Sequence, residues 1–301
     1  MTGIFVAALF GESDLMKLKH LIDQPGKLPT IPKVGQQLIA SLSDDDVSVV
    51  RVAELLALDP VLSARLLRLA NSAYFRVSHT IGTVDGALQI LGLMMARNLV
   101  IGASMAAAFK LTPGLDLKQF WRYTLYTSCA SRWLACRADV DADAVFTLGV
   151  LHGIGQLHMH AVMPYELAGL NWQMGVLDGG RAQRELDLFG FHYGDVSAEL
   201  AQVWNFPLSL VDALRHVAQP LASPNFSEPA AWVHMGAWHA RGNVLGLRDQ
   251  EHIASYPAEV ARRLFLAPDW ALALAEPGRH NNHLLMPPLV KLSDGLEAMF
   301  D

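Results

Sequence analysis

Residues 58–72 read LDPVLSARLLRLANS, and the fold reading starts there. Asp59 carries the short carboxylate that caps a helix. Pro60 follows at the first helical position, where a missing N–H costs nothing. Leu62, Leu66 and Leu69 then recur at helical spacing, and Leu67 widens the apolar stripe. Asn71-Ser72 ends the segment.

The same periodicity extends in both directions, without convincing strand alternation. DVSVVRVAELLALD (46–59) follows the acidic run Asp44-Asp45-Asp46, which suits a helix N-terminus. TVDGALQILG (83–92) is a short helix closed by Gly92, and Leu93 to Phe109 is a long apolar one. LTPGLD (111–116) breaks the pattern, because Pro113 stops the preceding helix. Helix resumes over 117–138 and again over 141–160, with Asp141 or Asp143 as the second cap. Further helices fit 163–174, 179–189, 193–204, 208–217 and 230–242.

The chain of 301 residues is 52% hydrophobic and 17% charged. Its mean hydropathy of +0.25 is high for a globular chain and implies much buried surface or an apolar face kept for a partner. LQILGLMMARNLVIGASMAAAF (88–109) is long enough to span a membrane, but Arg97 and Asn98 at its centre make it a buried core helix. The first residues, MTGIFVAALFGESD, lack the basic region and cleavage site of a secretory signal, so a cytoplasmic location is expected. Cys129 and Cys136 fall on one helix, about 10 Å apart along its axis, too far for a disulfide. Both are expected as small core residues. A net charge of −6, with no Lys/Arg run longer than Arg262-Arg263, argues against a nucleic-acid partner. Arg65, Arg68, Arg76 and Arg97 around 60–92 read better as a solvated face than as a DNA reader.

LGVLHGIGQLHMH (148–160) is the stretch that poses the chemical question, with His152, His158 and His160 close together. His158 and His160 point about 200° apart on a helix, so they cannot share a metal. They are expected as partly exposed helix-end residues. Gly149, Gly153 and Gly155 are expected to allow close helix packing or a kink. Asp195, three residues after His192, reads as a capping carboxylate.

The order of these segments resembles HDOD domains. LPTIPKVGQQLIASLSDDDVSVVRVAELLALDPVLSARLLRLANSAYF and IGTVDGALQILGLMMARNLVIG are similar to the opening of that family. FWRYTLYTSCASRWLA, FTLGVLHGIGQLHMH and FGFHYGDVSAELAQVWNFPLSLVDALRH are similar to its core. The resemblance covers about residues 25–240. It implies an all-α, multi-helix HD-like bundle with an N-terminal helical subdomain, a degenerate relative of HD and HD-GYP metal phosphohydrolases. The division expected is an N-terminal extension (1–24), a helical subdomain (25–112), an HD-like core (113–242) and a C-terminal extension (243–301).

An HD phosphohydrolase holds its metal with clustered imidazoles and carboxylates, and the metal turns a bound water into hydroxide. Here the His-Asp pair implied by the resemblance reads His152-Gly153. The earlier family histidine falls at Tyr123, a phenol with a pKa of about 10 and a poor metal ligand at neutral pH. Gln156 stands where lysine often follows the motif. His192 and His216 match later family histidines, with Val217 after the second. Tyr123, His152, Gly153, Gln156, His192 and His216 are therefore the expected relic or ligand pocket. No cofactor is expected; a single divalent transition metal on His152, His192 and His216 is the alternative.

The function implied is a non-catalytic regulatory module that works through protein partners in trans: a sensor kinase, a receiver domain or a cyclic-dinucleotide enzyme. It would sense a small ligand in the vacated pocket, and homo-oligomers are compatible with it. The competing reading is a residual metal-dependent phosphohydrolase acting on a nucleotide or cyclic dinucleotide.

Overall fold

In the computed structural model, residues 12–24, 28–43, 49–72, 75, 77, 79–266, 270 and 286–300 are described. The acidic run at 44–46, Tyr74 and Arg76 lie outside them. The first part of the chain, up to residue 108, holds α1 (Glu12–Ile22), α2 (Lys33–Ala40), α3 (Val49–Ala57), α4 (Pro60–Ala70), α5 (Val84–Leu91) and α6 (Leu93–Ala108). The core holds α7 (Leu117–Ala135), α8 (Ala142–Leu151), α9 (Ile154–Val162), α10 (Pro164–Gln173), α11 (Arg181–Phe189), α12 (Tyr193–Val203), α13 (Leu208–His216) and α14 (Glu228–Leu245). Then come α15 (Asp249–Ala254), α16 (Ala258–Arg263), α17 (Leu289–Leu292) and a 3-10 turn (Leu296–Met299). No strand occurs among the described residues, and the fold is all-α.

Local chemistry sets the helix ends. Asp59 Oδ1 accepts from the N–H groups of Val61 and Leu62, and Pro60 opens α4. Asn71 ends α4 and clamps Ile81, donating to its carbonyl and accepting from its N–H. Gly92 ends α5 and begins α6 at φ +80°, where a side chain would be strained, and the two helices meet at 109°. No described helix is long and apolar enough to cross a membrane. Arg97 and Asn98 are buried and hold neighbouring backbone, the carbonyls of Ser41 and Asp143 respectively.

The core is organised around α7, which lies between α8 and α14. A Cβ on Gly149 would stand 2.8 Å from Ser128 Cα, and one on Gly236 would collide with the Ser131 hydroxyl and backbone. Helices can approach so closely only where a side chain is absent. Gly155 does the same between α9 and α12, where a Cβ would collide with the Tyr193 carbonyl and stand 2.7 Å from Ser197 N. The C-terminal turn reaches back to α4 and α6, and Phe300 stacks on Trp121 with centroids 5.4 Å apart.

Several expectations are corrected. The helix expected over 141–160 is two helices, broken at His152-Gly153. Of the two caps expected for α8, Asp141 is the one used, and Asp143 pairs with Arg132 Nε at 2.8 Å. α7 stops at Ala135, which leaves Cys136 exposed; only Cys129 is a core residue. His158 and His160 are buried rather than exposed. His158 Nε2 lies 3.3 Å from the Leu21 carbonyl of α1. His160 Nδ1 donates to the Gln156 carbonyl, and its Nε2 accepts from Asn171. The covering groups come from α1 and α10, which spacing within 148–160 does not reveal.

Gly155→Ala is expected to destabilise the fold by about 3 kcal/mol, because backbone must move to admit the methyl group. Gly169→Ala, in open space on α10, should be neutral or stabilising by about 0.5 kcal/mol. Urea unfolding of the two variants checks the contrast.

Candidate functional site

The break between α8 and α9 places His152 against α7. Tyr123 meets His152 edge to face, with ring centroids 5.4 Å apart. His152 Nδ1 donates to the Gly149 carbonyl at 2.6 Å, so its lone pair lies on Nε2. The Phe120 ring lies close against position 153: a Cβ there would stand 3.0 Å from Phe120 Cζ. Gln156 Nε2 donates to the Val176 carbonyl and seals the far side. Tyr123, His152, Gly153 and Gln156 thus do come together. The cavity they share with Tyr193 and Arg241 measures about 10 Å³, room for a single water and too small for a nucleotide.

His192 and His216 do not line that cavity. His192 is the N-cap of α12. Its Nδ1 accepts from the N–H groups of Gly194 and Asp195, and Asp195 Oδ2 accepts from the His192 N–H in return. This is a capping box with imidazole in the place of a hydroxyl. The proton of neutral His192 therefore sits on Nε2, and its one lone pair is taken by the helix. Asp195 Oδ1 lies 3.5 Å from Arg215, which also donates to Glu199 at 2.8 Å. His216 stands at the end of α13, 3.8 Å from the exposed Asp212. Among the described residues no three His, Cys, Asp or Glu side chains are grouped to hold a metal. The donor set does not fit a metal centre of the HD kind: Gly153 offers no side chain, and His192 has no free nitrogen lone pair.

Residues 28–220 match the HDOD domain. The chain belongs to the HDOD family. Its fold is shared with a solved "putative phosphohydrolase" from Shewanella amazonensis SB2B, at 28% identity over 97% of this chain and 98% of that one, with a TM-score of 0.71. An HDOD domain protein of unknown function from Geobacter sulfurreducens is 23% identical, covering 87% and 93% of the two chains, with a TM-score of 0.69. A "putative signal transduction protein" from Marinobacter aquaeolei VT8 is 19% identical over 96% of this chain and 65% of that one, with a TM-score of 0.72. An uncharacterized protein of Treponema pallidum (strain Nichols) is 22% identical over 198 residues, and the match spans 65% of this chain and 38% of that relative.

Sequence reasoning missed Arg241, Tyr193 and Phe120 in this HDOD core. A signal for Arg241 was present. It is a lone cation in the middle of the mostly buried α14, with no acidic residue three or four positions away. Its Nε donates to the Leu177 carbonyl at 2.6 Å.

Burial, helped by the charge of Arg241, lowers His152 to about 4, and burial does the same to His234; His239 is lowered to about 4 by burial and by His252. These imidazoles stay neutral in the fold and take up protons on unfolding. Their contribution is therefore complete above pH 6.5 and is lost as pH falls towards 4. A shift of this size corresponds to about 3 kcal/mol per group. The HDOD chain is expected to lose stability steeply between pH 6.5 and 4, with His152→Gln flattening the slope; urea midpoints across that range check it. Gly153→Asp is expected to cost about 2 kcal/mol, because it buries a carboxylate against Phe120, without creating metal affinity. Unfolding curves and elemental analysis of the variant test this.

Proposed function

We propose that this HDOD chain is a signal-transduction module that regulates a partner without hydrolysing phosphate esters. The observation that carries this reading is the use made of the inherited site residues. His192 spends its lone pair on capping α12, Gly153 offers no carboxylate and has the Phe120 ring packed against it, and Gln156 ties down the 176 backbone. Phosphohydrolysis at an HD site needs imidazole and carboxylate ligands free to hold a metal and its hydroxide. Here those positions serve packing. The name of the Marinobacter relative agrees with a signalling role, and that of the Shewanella relative with the competing hydrolase.

A surface suited to protein contact supports the regulatory reading. Tyr165 and Trp172 are 89% and 92% exposed on α10. Seven residues apart, they lie on one helix face. Exposed aromatics of this kind commonly anchor protein interfaces. Trp204 and Phe206, by contrast, are packed inward: Phe206 is buried and Trp204 meets Phe109 edge to face. The partner classes that fit the reading are a sensor kinase, a receiver domain and a cyclic-dinucleotide enzyme.

The test combines turnover and binding. Purified protein, loaded in turn with Mn, Ni and Zn, is expected to hold no stoichiometric metal and to cleave neither nitrophenyl phosphates nor cyclic dinucleotides. Metal-dependent turnover lost on His152→Ala would overturn the reading in favour of the hydrolase. Tyr165→Ala with Trp172→Ala is expected to weaken binding to a cognate kinase or receiver domain at least tenfold, about 1.4 kcal/mol, with an unchanged unfolding midpoint.

A further inference from the structure

Beside the filled relic pocket lies an open cleft of about 400 Å³, within the size range of small-molecule sites. Arg241 lines both spaces, and so does Tyr193. Leu177 holds the Arg241 Nε, which fixes the plane of the guanidinium and leaves its two terminal nitrogens. Among the described residues, no acceptor and no carboxylate within 4 Å pairs with those nitrogens. The absence of a side chain at Gly179 keeps them uncovered, since a Cβ there would come within 3.2 Å of one of them. The Tyr193 hydroxyl has no hydrogen-bond partner among the described residues either. It is near enough to Arg241 for the guanidinium charge to favour its ionisation, against the stronger effect of burial. His234 donates from Nδ1 to the Val217 carbonyl, so its Nε2 is an acceptor for a ligand hydroxyl or amine. The single carboxylate in the lining, Asp178, is exposed and already accepts from the Gly180 N–H. Leu245, Leu247 and Pro257 supply an apolar wall.

A fixed guanidinium fork with two open donor ends, a phenol donor and an apolar wall is the equipment for a small organic phosphate. We propose that the cleft between α14 and the 177–180 loop binds a phosphate-bearing small molecule of mononucleotide size, with Arg241 gripping the phosphate and Tyr193 donating to it. No bond is made or broken in this step. The inference deepens the ligand-sensing side of the regulatory reading and moves the ligand out of the collapsed His152 pocket. It predicts a bound ligand whether or not a protein partner exists.

Isothermal titration of the full chain with inorganic phosphate and with AMP tests it, alongside Arg241→Gln and Tyr193→Phe. AMP is expected to bind more tightly than phosphate, because the wall adds apolar contact. Arg241→Gln should weaken AMP at least tenfold and Tyr193→Phe about threefold, the loss of one hydrogen bond. If circular dichroism shows Arg241→Gln unfolded, Tyr193→Phe decides alone. Absence of wild-type binding at millimolar AMP, or AMP affinity unchanged in the folded variants, would overturn the site. AMP binding no tighter than phosphate would overturn the organic ligand. Failure here leaves the turnover and partner tests untouched, whereas metal-dependent turnover would sink the regulatory reading and leave the binding result standing.

Discussion

The contact on which the functional half of the molecule depends is the approach of α9 to α12 at Gly155. Ser197 Oγ sits at the crossing, accepting from the Gly155 N–H at 2.8 Å and lying within hydrogen-bond distance of the His152 and Tyr193 carbonyls. Any side chain at 155 would separate the two helices. With the helices in contact, the His152-Gly153 turn faces Tyr193, and the capped start of α12 lies alongside. The same use of small residues brings α8 and α14 onto α7, at Gly149 against Ser128 and Gly236 against Ser131. Three glycines thus determine how near the site residues come to one another.

Close packing also governs what the histidines of this region can do. A metal centre needs space and free lone pairs. Here both are used up locally: Phe120 fills space, and backbone groups engage the Nδ1 atoms of His152, His160 and His192. Burial keeps these rings neutral, which suits single, directional hydrogen bonds and opposes charge. Each of these histidines satisfies a specific backbone group.

A charge without a partner carboxylate, that of Arg241, lines the same packed region. Arg181 is fully buried and is answered by Glu185 at 2.8 Å, and Glu185 in turn accepts from the Tyr193 N–H. Arg215 is answered by Asp195 and Glu199. Among the described residues, Arg241 meets only a carbonyl. A buried or half-buried cation is costly unless it is paired, so the contrast among these three arginines locates the unfinished part of the site.

The sequence by itself determined the helical architecture, the cap at Asp59, the stop at Gly92 and the capping role of Asp195, and it narrowed the cap of α8 to Asp141 or Asp143. Those are local matters of side chains bonding to backbone two or three residues away. It also showed that His152 is followed by glycine and that tyrosine stands at 123. It did not show that His192 caps a helix, that His158 and His160 are buried beneath α1 and α10, or that the 141–160 helix breaks. Nor did it show that the open space lies at Arg241 and not at His152. Only the tertiary structure decided these, because each depends on atoms brought together from helices far apart in the chain. Periodicity records which face of a helix is apolar, but not which neighbour covers it or how much room is left.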